Sequence, residues 1–130
     1  MRIFLDSSGA RPRPLSAVFF RSATGNEPVR EWLKSLPADE RKQIGADILA
    51  AQYGWPLGLP LVDFLGDGLW EVRSRLATRI ARTLFFVNNE TIILLHGFTK
   101  KTRATPAQDL NLAHKRKRDY ENAQKCPPRK

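Results

Sequence analysis

The sequence predicts an α+β fold in which an antiparallel sheet carries a helical hairpin and a C-terminal helix, in the order β-α-α-β-β-β-α. Residues 26–54 show the apolar spacing of two consecutive helices. Residues 69–98 contain three strand-like runs separated by short turn-prone segments. A third helical pattern begins at Thr105. A chain of 130 residues without a long compositional break is most simply one domain.

The first predicted strand is the run "LSAVFFR" at residues 15–21, which is rich in strand-favouring residues and is followed by the breaker stretch "SATGNEP". Residues 1–13 mix Ser, Gly, Pro and Arg without periodicity, and we interpret them as a flexible lead-in. We expect residues 123–130, which include Cys126, to form a basic disordered tail. The domain is therefore expected to span residues 14–122.

Two amphipathic helices follow the first strand. The run "NEPVREWLKSL" has Asn26 as a possible cap, Pro28 in the first turn, and apolar residues at helical spacing. The second helix is expected to begin at the cap Ser35, to bury Ile44 and its apolar neighbours, and to end at Gly54. Two successive helices of this kind are expected to pack as a hairpin.

After a Gly- and Pro-rich segment at residues 55–68, interpreted as a loop, three strands are expected in quick succession. They are "LWEVRSR" at 69–75, "RIARTLFFV" at 79–87 and "TIILLHGF" at 91–98. The separators "LAT" and "NNE" are short, which favours an antiparallel meander. Thr105 and Gln108 then form a capping box, with Pro106 at the first position of a helix that reaches about Asn122.

The positive charge is concentrated in the second half of the chain. Residues 1–67 hold 8 Lys/Arg against 8 Asp/Glu, whereas residues 68–130 hold 14 against 5, so the second half carries the whole net charge of +9. This asymmetry indicates a polyanion-binding surface, although a solubilising face has the same composition. No apolar run is long enough for a membrane helix and no signal segment is visible, so we expect a cytoplasmic protein.

Several cations are expected on one face of the sheet. Strand alternation places Glu71, Arg73 and Arg75 on the same side, which we therefore expect to be hydrated. Arg82 shares its parity with apolar residues of the next strand, so it needs either a partner or an opening to solvent. Three more cations lie just beyond the last strand: Lys100, Lys101 and Arg103.

Arginine and lysine together suit phosphate, because the guanidinium binds it bidentately and the ammonium supplies a mobile charge. Cleavage of RNA by its own 2′-hydroxyl also requires a proton acceptor, cations near the phosphorane and an acid for the leaving oxygen. His96 is the best acid/base candidate because its pKa lies intrinsically near neutrality. Alternatively, it is a hydrogen-bonded core residue sharing its parity with Ile92, Leu94 and Phe98.

The last helix leaves similar alternatives open. Its run "HKRKR", which contains Arg116, either contacts phosphates or forms an ordinary solvated face. Tyr120 either stacks on a base, donates a proton or provides the last apolar contact of this helix. No zinc spacing, Gly-rich phosphate loop, clustered carboxylate pair or serine triad occurs, so neither a metal nor another cofactor is predicted.

Five segments of the chain resemble a known family. The strings are "GADILAAQYGWPLGLPLV", "GDGLWEVRS", "RIARTLFFV", "LLHGFTKKTRATP" and "AHKRKRDY". They resemble the HigB-like, phage-derived branch of the RelE/ParE toxin superfamily, over about residues 14–121. The β-α-α-β-β-β-α arrangement of that superfamily agrees with the predicted order of elements.

The resemblance implies the toxin of a type II toxin–antitoxin system, which cuts messenger RNA on the ribosome without a metal. By motif, Arg73 and Arg82 match the family's sheet arginines, and Lys100 and Lys101 match the basic residues after the last strand. Arg82 and one lysine are then expected to stabilise the transition state, with Arg73 positioning the RNA. Further RNA contacts are expected from Arg75, Arg103 and Arg116. His96 and a lysine of lowered pKa compete as the general base.

The resemblance also implies a partner and two rival functions. The partner is a small helix-turn-helix antitoxin, and operator DNA is bound only through the toxin–antitoxin complex. ParE-like relatives share the fold but inhibit DNA gyrase without catalysis, so fold membership does not choose the target. A degenerate toxin that only binds its antitoxin is a weaker alternative, because the motif cations are all present.

Overall fold

The computed structural model describes residues 14–55, 61–100 and 105–125, and for Lys100 and Lys125 only the backbone. In chain order the elements are β1 (Ser16–Phe19), α1 (Pro28–Lys34), α2 (Ala38–Gly54), β2 (Val62–Gly66), β3 (Leu69–Arg75), β4 (Ile80–Asn88), β5 (Thr91–Lys100) and α3 (Ala107–Lys125). The α+β class is as predicted, with three helices and a five-stranded sheet. No helix within these residues is long and apolar enough to cross a membrane.

Strand β2 lies in the segment that was expected to be a loop, and that expectation was wrong for these residues. β2 pairs antiparallel with β3, with Val62 opposite Val72. The turn between them has three consecutive left-handed residues, Gly66, Asp67 and Gly68, with φ of 95°, 52° and 79°. The glycines supply these angles without steric cost, but in the sequence they make the short strand look like part of a flexible loop.

The sheet has the strand order β1-β5-β4-β3-β2. The four strands β2 to β5 form an antiparallel meander. β1 instead pairs in parallel with β5, Ser16 lying opposite Thr91, so the expectation of a wholly antiparallel sheet was wrong at this edge. Alternation of apolar residues shows which side chains face the core but not the direction of the neighbouring strand. The helical hairpin carries the chain from β1 at one edge to β2 at the other.

Each face of the sheet has its own apolar core. The first contains Val29 of α1 and Ile44 and Ile48 of α2, packed against residues that include Val72 and Phe85. The second is built around α3, and its buried members are Phe20, Leu69, Leu84, Phe86, Ile93, Leu95, Phe98 and Ala113. The sheet is therefore covered on both sides, by the helical hairpin on one face and by α3 on the other.

A bulge in β5 changes the face on which its later residues lie. Leu84 pairs with His96 and the next residue of β4, Phe85, pairs with Leu94, so Leu95 has no opposite residue on β4. Leu94 packs in the core of the helical hairpin, whereas Leu95 packs in the α3 core. His96 contacts Asp109 of α3 and so also lies on the α3 face. Its predicted parity with Leu94 was wrong, because a bulge reverses strand alternation.

The helices begin later than their predicted caps. α1 has Glu27 at its N-cap, with Pro28 as the first helical residue, and α2 has Pro37 at its N-cap. Neither N-cap side chain accepts a hydrogen bond from a backbone N–H group of its helix. Ser35, expected to cap α2, donates its hydroxyl to the carbonyl of Trp32 at 2.6 Å and thus closes the end of α1. The predicted N-caps therefore precede the observed N-caps by one residue at α1 and by two residues at α2.

Candidate functional site

Three neighbouring strands bring four of the predicted cations to one end of the sheet. Arg73 of β3 lies opposite Arg82 of β4. Two residues further along β3, Ile80 of β4 lies between Arg75 of β3 and Lys100 of β5. Neighbouring strands are about 4.7–4.9 Å apart, so these residues belong to one compact part of the sheet. The convergence that the sequence left open is present in the backbone register.

A buried carboxylate connects two of these arginines. Oε2 of Glu71 accepts hydrogen bonds from Nη1 of Arg82 at 2.7 Å and from Nε of Arg73 at 2.9 Å. Oε1 of Glu71 accepts the hydroxyl of Thr105 at 2.8 Å. Nη2 of Arg73 also donates to Oδ2 of Asp63 at 2.8 Å. An acid–base network thus holds Arg73 and Arg82 in fixed positions.

The expectation of a hydrated face was wrong at Glu71. Its side chain is 0% exposed and that of Arg82 is 2% exposed. A buried charge is tolerated when an opposite charge and hydrogen bonds replace its hydration, and Glu71 has both. The sequence left two possibilities for Arg82, a charged partner or an opening to solvent. The structure shows the first, because Arg82 is buried and paired with Glu71. The Arg82 guanidinium is thus held inside the sheet face by its ion pair with Glu71.

Arg73 and Arg75 are the arginines of this group that reach solvent. The side chain of Arg73 is 32% exposed, although it contacts both Asp63 and Glu71. A guanidinium has five N–H donors, and two of them are used in these contacts within the described residues. Arg75 is exposed at the end of β3. Within the described residues, Arg73 and Arg75 are thus the two arginines of this group that are accessible to an anion.

His96 of β5 lies opposite Leu84, two residues along β4 from Arg82, and is bound to α3. Its Nε2 is 2.7 Å from Oδ1 of Asp109, and its Nδ1 is 3.4 Å from Nη1 of Arg116. Because a guanidinium can only donate, Nδ1 is the acceptor and Nε2 carries the proton that is donated to Asp109. The His96 ring also stacks on Phe98, with centroids 5.5 Å apart. Both ring nitrogens thus have partners, which favours the hydrogen-bonded structural interpretation.

Arg116 anchors α3 to the sheet. Its Nη1 donates to the carbonyl of Leu95 at 2.8 Å, at the residue that forms the bulge. Burial lowers the pKa of the Arg116 guanidinium from its ordinary value. The hydrogen bond to Leu95 offsets part of that desolvation. In this arrangement Arg116 binds the backbone of β5, away from the exposed Arg73 and Arg75.

The remaining predicted residues divide into two groups. Lys101 and Arg103 lie outside the described residues, as does the side chain of Lys100. Tyr120 packs edge-on against Phe86 with ring centroids 5.6 Å apart, so the interpretation of Tyr120 as an apolar contact is confirmed.

Within the described parts of the chain, no group of three or more His, Cys, Asp or Glu side chains is arranged to hold a metal ion.

Sequence reasoning did not identify the acids and the hydroxyl that organise the site. Asp63 and Thr105 were assigned to a loop and a helix cap, and Asp109 was not considered. One signal was available, because Glu71 is the only acid among the alternating cations of β3. A lone carboxylate on the same strand face as two arginines indicates an internal ion pair. Two of its partners, Arg82 and Thr105, lie on other segments of the chain.

One family model matches more than half of the chain. The family model described as phage-derived protein Gp49-like (DUF891) matches residues 31–118, from α1 to the middle of α3. A search of curated proteins found no match. Because the match covers more than half of the chain, the chain belongs to the Gp49-like family, which is a RelE/HigB-like toxin family. Membership indicates an antitoxin as its partner.

Proposed function

We propose that the chain inhibits translation by cutting messenger RNA on the ribosome, as a metal-independent endonuclease. The observation that carries this proposal is the convergence of Arg73, Arg75, Arg82 and Lys100 on three adjacent strands. Cations that meet in this way suit a substrate whose transition state concentrates negative charge on one phosphate. The 2′-hydroxyl of the RNA is the attacking group, so the protein needs to supply charge stabilisation and proton transfer.

Each residue has a distinct role in this proposal. Arg73 and Arg75 contact the phosphate, because their side chains reach solvent. Glu71 and Arg82 hold Arg73 in place through the buried ion pair. A preorganised guanidinium stabilises developing charge better than a mobile one, because little reorganisation is needed in the transition state.

Proton transfer is assigned to the lysines that follow β5. His96 has both nitrogens engaged with α3, so it can act as a base only if that contact opens. Lys100 is at the end of β5, opposite Ile80 and in the same row as Arg75, and Lys101 is its neighbour in the chain. In this proposal one of these two lysines takes the proton of the 2′-hydroxyl.

The partner in this proposal is a helix-turn-helix antitoxin that neutralises the toxin, and the complex of the two binds operator DNA. The positive second half of the chain suits an acidic antitoxin segment as well as RNA. When the antitoxin is absent, the cation-rich end of the sheet is available for the messenger.

The test is cleavage of a defined messenger by purified protein, with and without translating ribosomes, followed by mapping of the RNA ends. Cuts that require ribosomes support the proposal. Arg73→Ala and Lys100→Ala should each slow cutting by about 100-fold or more, the usual cost of removing one group that stabilises transition-state charge. Arg30→Ala is the matched control, because it removes an exposed arginine from α1.

The same preparation separates the gyrase alternative. Intact messenger together with inhibited supercoiling by gyrase would reject the nuclease and support a ParE-like inhibitor. Intact messenger with unaffected gyrase, in a protein that still binds its antitoxin, would indicate a degenerate toxin. Circular dichroism of each variant is needed, because Arg73 also takes part in the ion pairs of the sheet.

A further inference from the structure

A cleft lies at the edge of the sheet beside Arg73 and Arg75. It has a volume of about 290 Å³ and is lined by Gln43 and Asp47 of α2, Leu61, and the two arginines. The N–H of Arg73 donates to the carbonyl of Leu61 at 2.8 Å, just before β2 begins. The cleft therefore opens between α2 and the end of β3 and is continuous with the proposed phosphate-binding residues.

Opposite charges share this cleft without contacting each other. Within the described residues, no ion pair joins Asp47 to Arg73 or Arg75. Asp47 is instead oriented by Gln43, whose Nε2 donates to Oδ1 of Asp47 at 3.1 Å. Gln43 and Asp47 are four positions apart on α2, so they lie on the same side of the helix. Space is thus left between a fixed carboxylate and the cations.

The distribution of charge selects the kind of ligand. A phosphate beside Asp47 would be repelled, whereas a phosphate beside Arg73 and Arg75 would be attracted. The position beside Asp47 favours a neutral group with N–H donors, and Leu61 offers an apolar contact to a flat ring. One molecule that carries an anion next to a flat, neutral group with N–H donors is a nucleotide.

We propose that this cleft is a nucleobase-recognition subsite in which Asp47 and Gln43 read the base next to the phosphate held by Arg73 and Arg75. The inference rests on the proposed RNA-cleaving function and adds a preference to it. Asp47 accepts a hydrogen bond from the exocyclic amino group of adenine, cytosine or guanine, as carboxylates accept from base amino groups in nucleic-acid complexes. Uracil has no amino group, and its one donor on this edge, N3–H, lies between two carbonyl oxygens that the carboxylate repels, so uracil is disfavoured.

The direct test uses NMR of the full chain labelled with ¹⁵N, titrated separately with the 3′-monophosphates of adenosine, cytidine, guanosine and uridine. The side-chain amide of Gln43 and the backbone amides of Leu61 and Arg73 should shift. The three amino-bearing nucleotides should bind at least about fivefold more tightly than 3′-UMP, the discrimination expected from one good base contact. Equal affinities, or shifts confined to other parts of the chain, would overturn the subsite.

Asp47→Asn gives a signature that loss of structure would not. An asparagine offers both a donor and an acceptor, so the variant should bind 3′-UMP better and bring the four affinities within about twofold of each other. Asp39→Asn is the matched control, because it makes the same change at an exposed position in the first turn of α2. It should keep the preference of the natural sequence, and an unchanged preference in Asp47→Asn would remove Asp47 from the subsite.

Mapping of messenger cuts distinguishes failure of this inference from failure of the proposed function. If ribosome-dependent cuts occur and Asp47→Asn shifts them toward uracil-containing sites, both are supported. If cuts occur with an unchanged base distribution in Asp47→Asn, the subsite is rejected and the nuclease remains. If nucleotides bind with the expected preference but no messenger is cut, the nuclease is rejected and the cleft remains a nucleotide-binding site.

Discussion

Glu71 is the residue on which the organisation of the site depends most. It has no exposed surface, yet it accepts hydrogen bonds from Arg82, Arg73 and Thr105. These three partners come from β4, β3 and the residues just before α3. One carboxylate thus joins three segments of the chain. A buried charge in this position is stable only while its partners remain, because its own hydration has been lost.

Replacement of Glu71 by glutamine should therefore destabilise the fold. Glu71→Gln keeps the size of the side chain but leaves Arg82 buried without its carboxylate, so we expect the free energy of unfolding to fall by about 3–5 kcal/mol. The measurement is equilibrium unfolding in urea. Glu31→Gln, an exposed position on α1, should change the same quantity by less than about 0.5 kcal/mol. A loss below about 1 kcal/mol in Glu71→Gln would show that the pair is not a significant constraint.

At the scale of elements, α1 approaches β5 closely at one residue of the strand. Gly97 lies directly beneath Trp32, and a Cβ atom at this position would overlap the indole ring. The bulge before Gly97 turns this residue toward α1 and His96 toward α3. The bulge thus shifts the alternation of β5 by one residue, so that Gly97 rather than His96 faces α1.

The space around two glycines predicts opposite effects of their substitution by alanine. Gly97→Ala should lower the free energy of unfolding by about 1–3 kcal/mol or more, because Trp32 must move or the strand must shift. In Gly45→Ala, on α2, the new Cβ meets nothing within 4 Å. That variant should be more stable by about 0.5–1 kcal/mol, since alanine is the better helix former. Urea unfolding of both variants provides the comparison, and equal stabilities would contradict the close packing of α1 on β5.

At the scale of the whole molecule, the two halves of the chain differ in charge and supply different elements. The first half is neutral and contributes β1, α1, α2 and β2. The second half carries the excess of +9 and contributes β3, β4, β5 and α3. Polyanion binding should accordingly involve the end of β3 and should be sensitive to salt.

The salt dependence of RNA binding tests this distribution. For a single-stranded RNA, each phosphate contact contributes about −0.7 to the slope of log K against log salt concentration. The double variant Arg73→Ala/Arg75→Ala should reduce the magnitude of the slope by about 1.4. Arg30→Ala/Lys34→Ala removes the same charge from α1 and should leave the slope unchanged. Fluorescence anisotropy with a labelled oligonucleotide measures both, and equal slopes for the two variants would place the RNA elsewhere.

The sequence by itself determined the features that depend on neighbouring residues. Apolar spacing identified the helical hairpin and α3, alternation identified β3, β4 and β5, and short turns predicted their meander. The motif that contains Lys100 also led to the correct family. These features are visible because helical and strand periodicity is local.

Only the tertiary structure decided the features that depend on distant partners. The parallel pairing of β1, the bulge that turns His96 toward Asp109, and the burial of Arg82 against Glu71 all join residues from separate elements. The cleft between α2 and β3 arises in the same way. A local sequence pattern does not show which strands become neighbours or which acid pairs with which cation. Those contacts form between residues distant in sequence, when the helices pack on the two faces of the sheet.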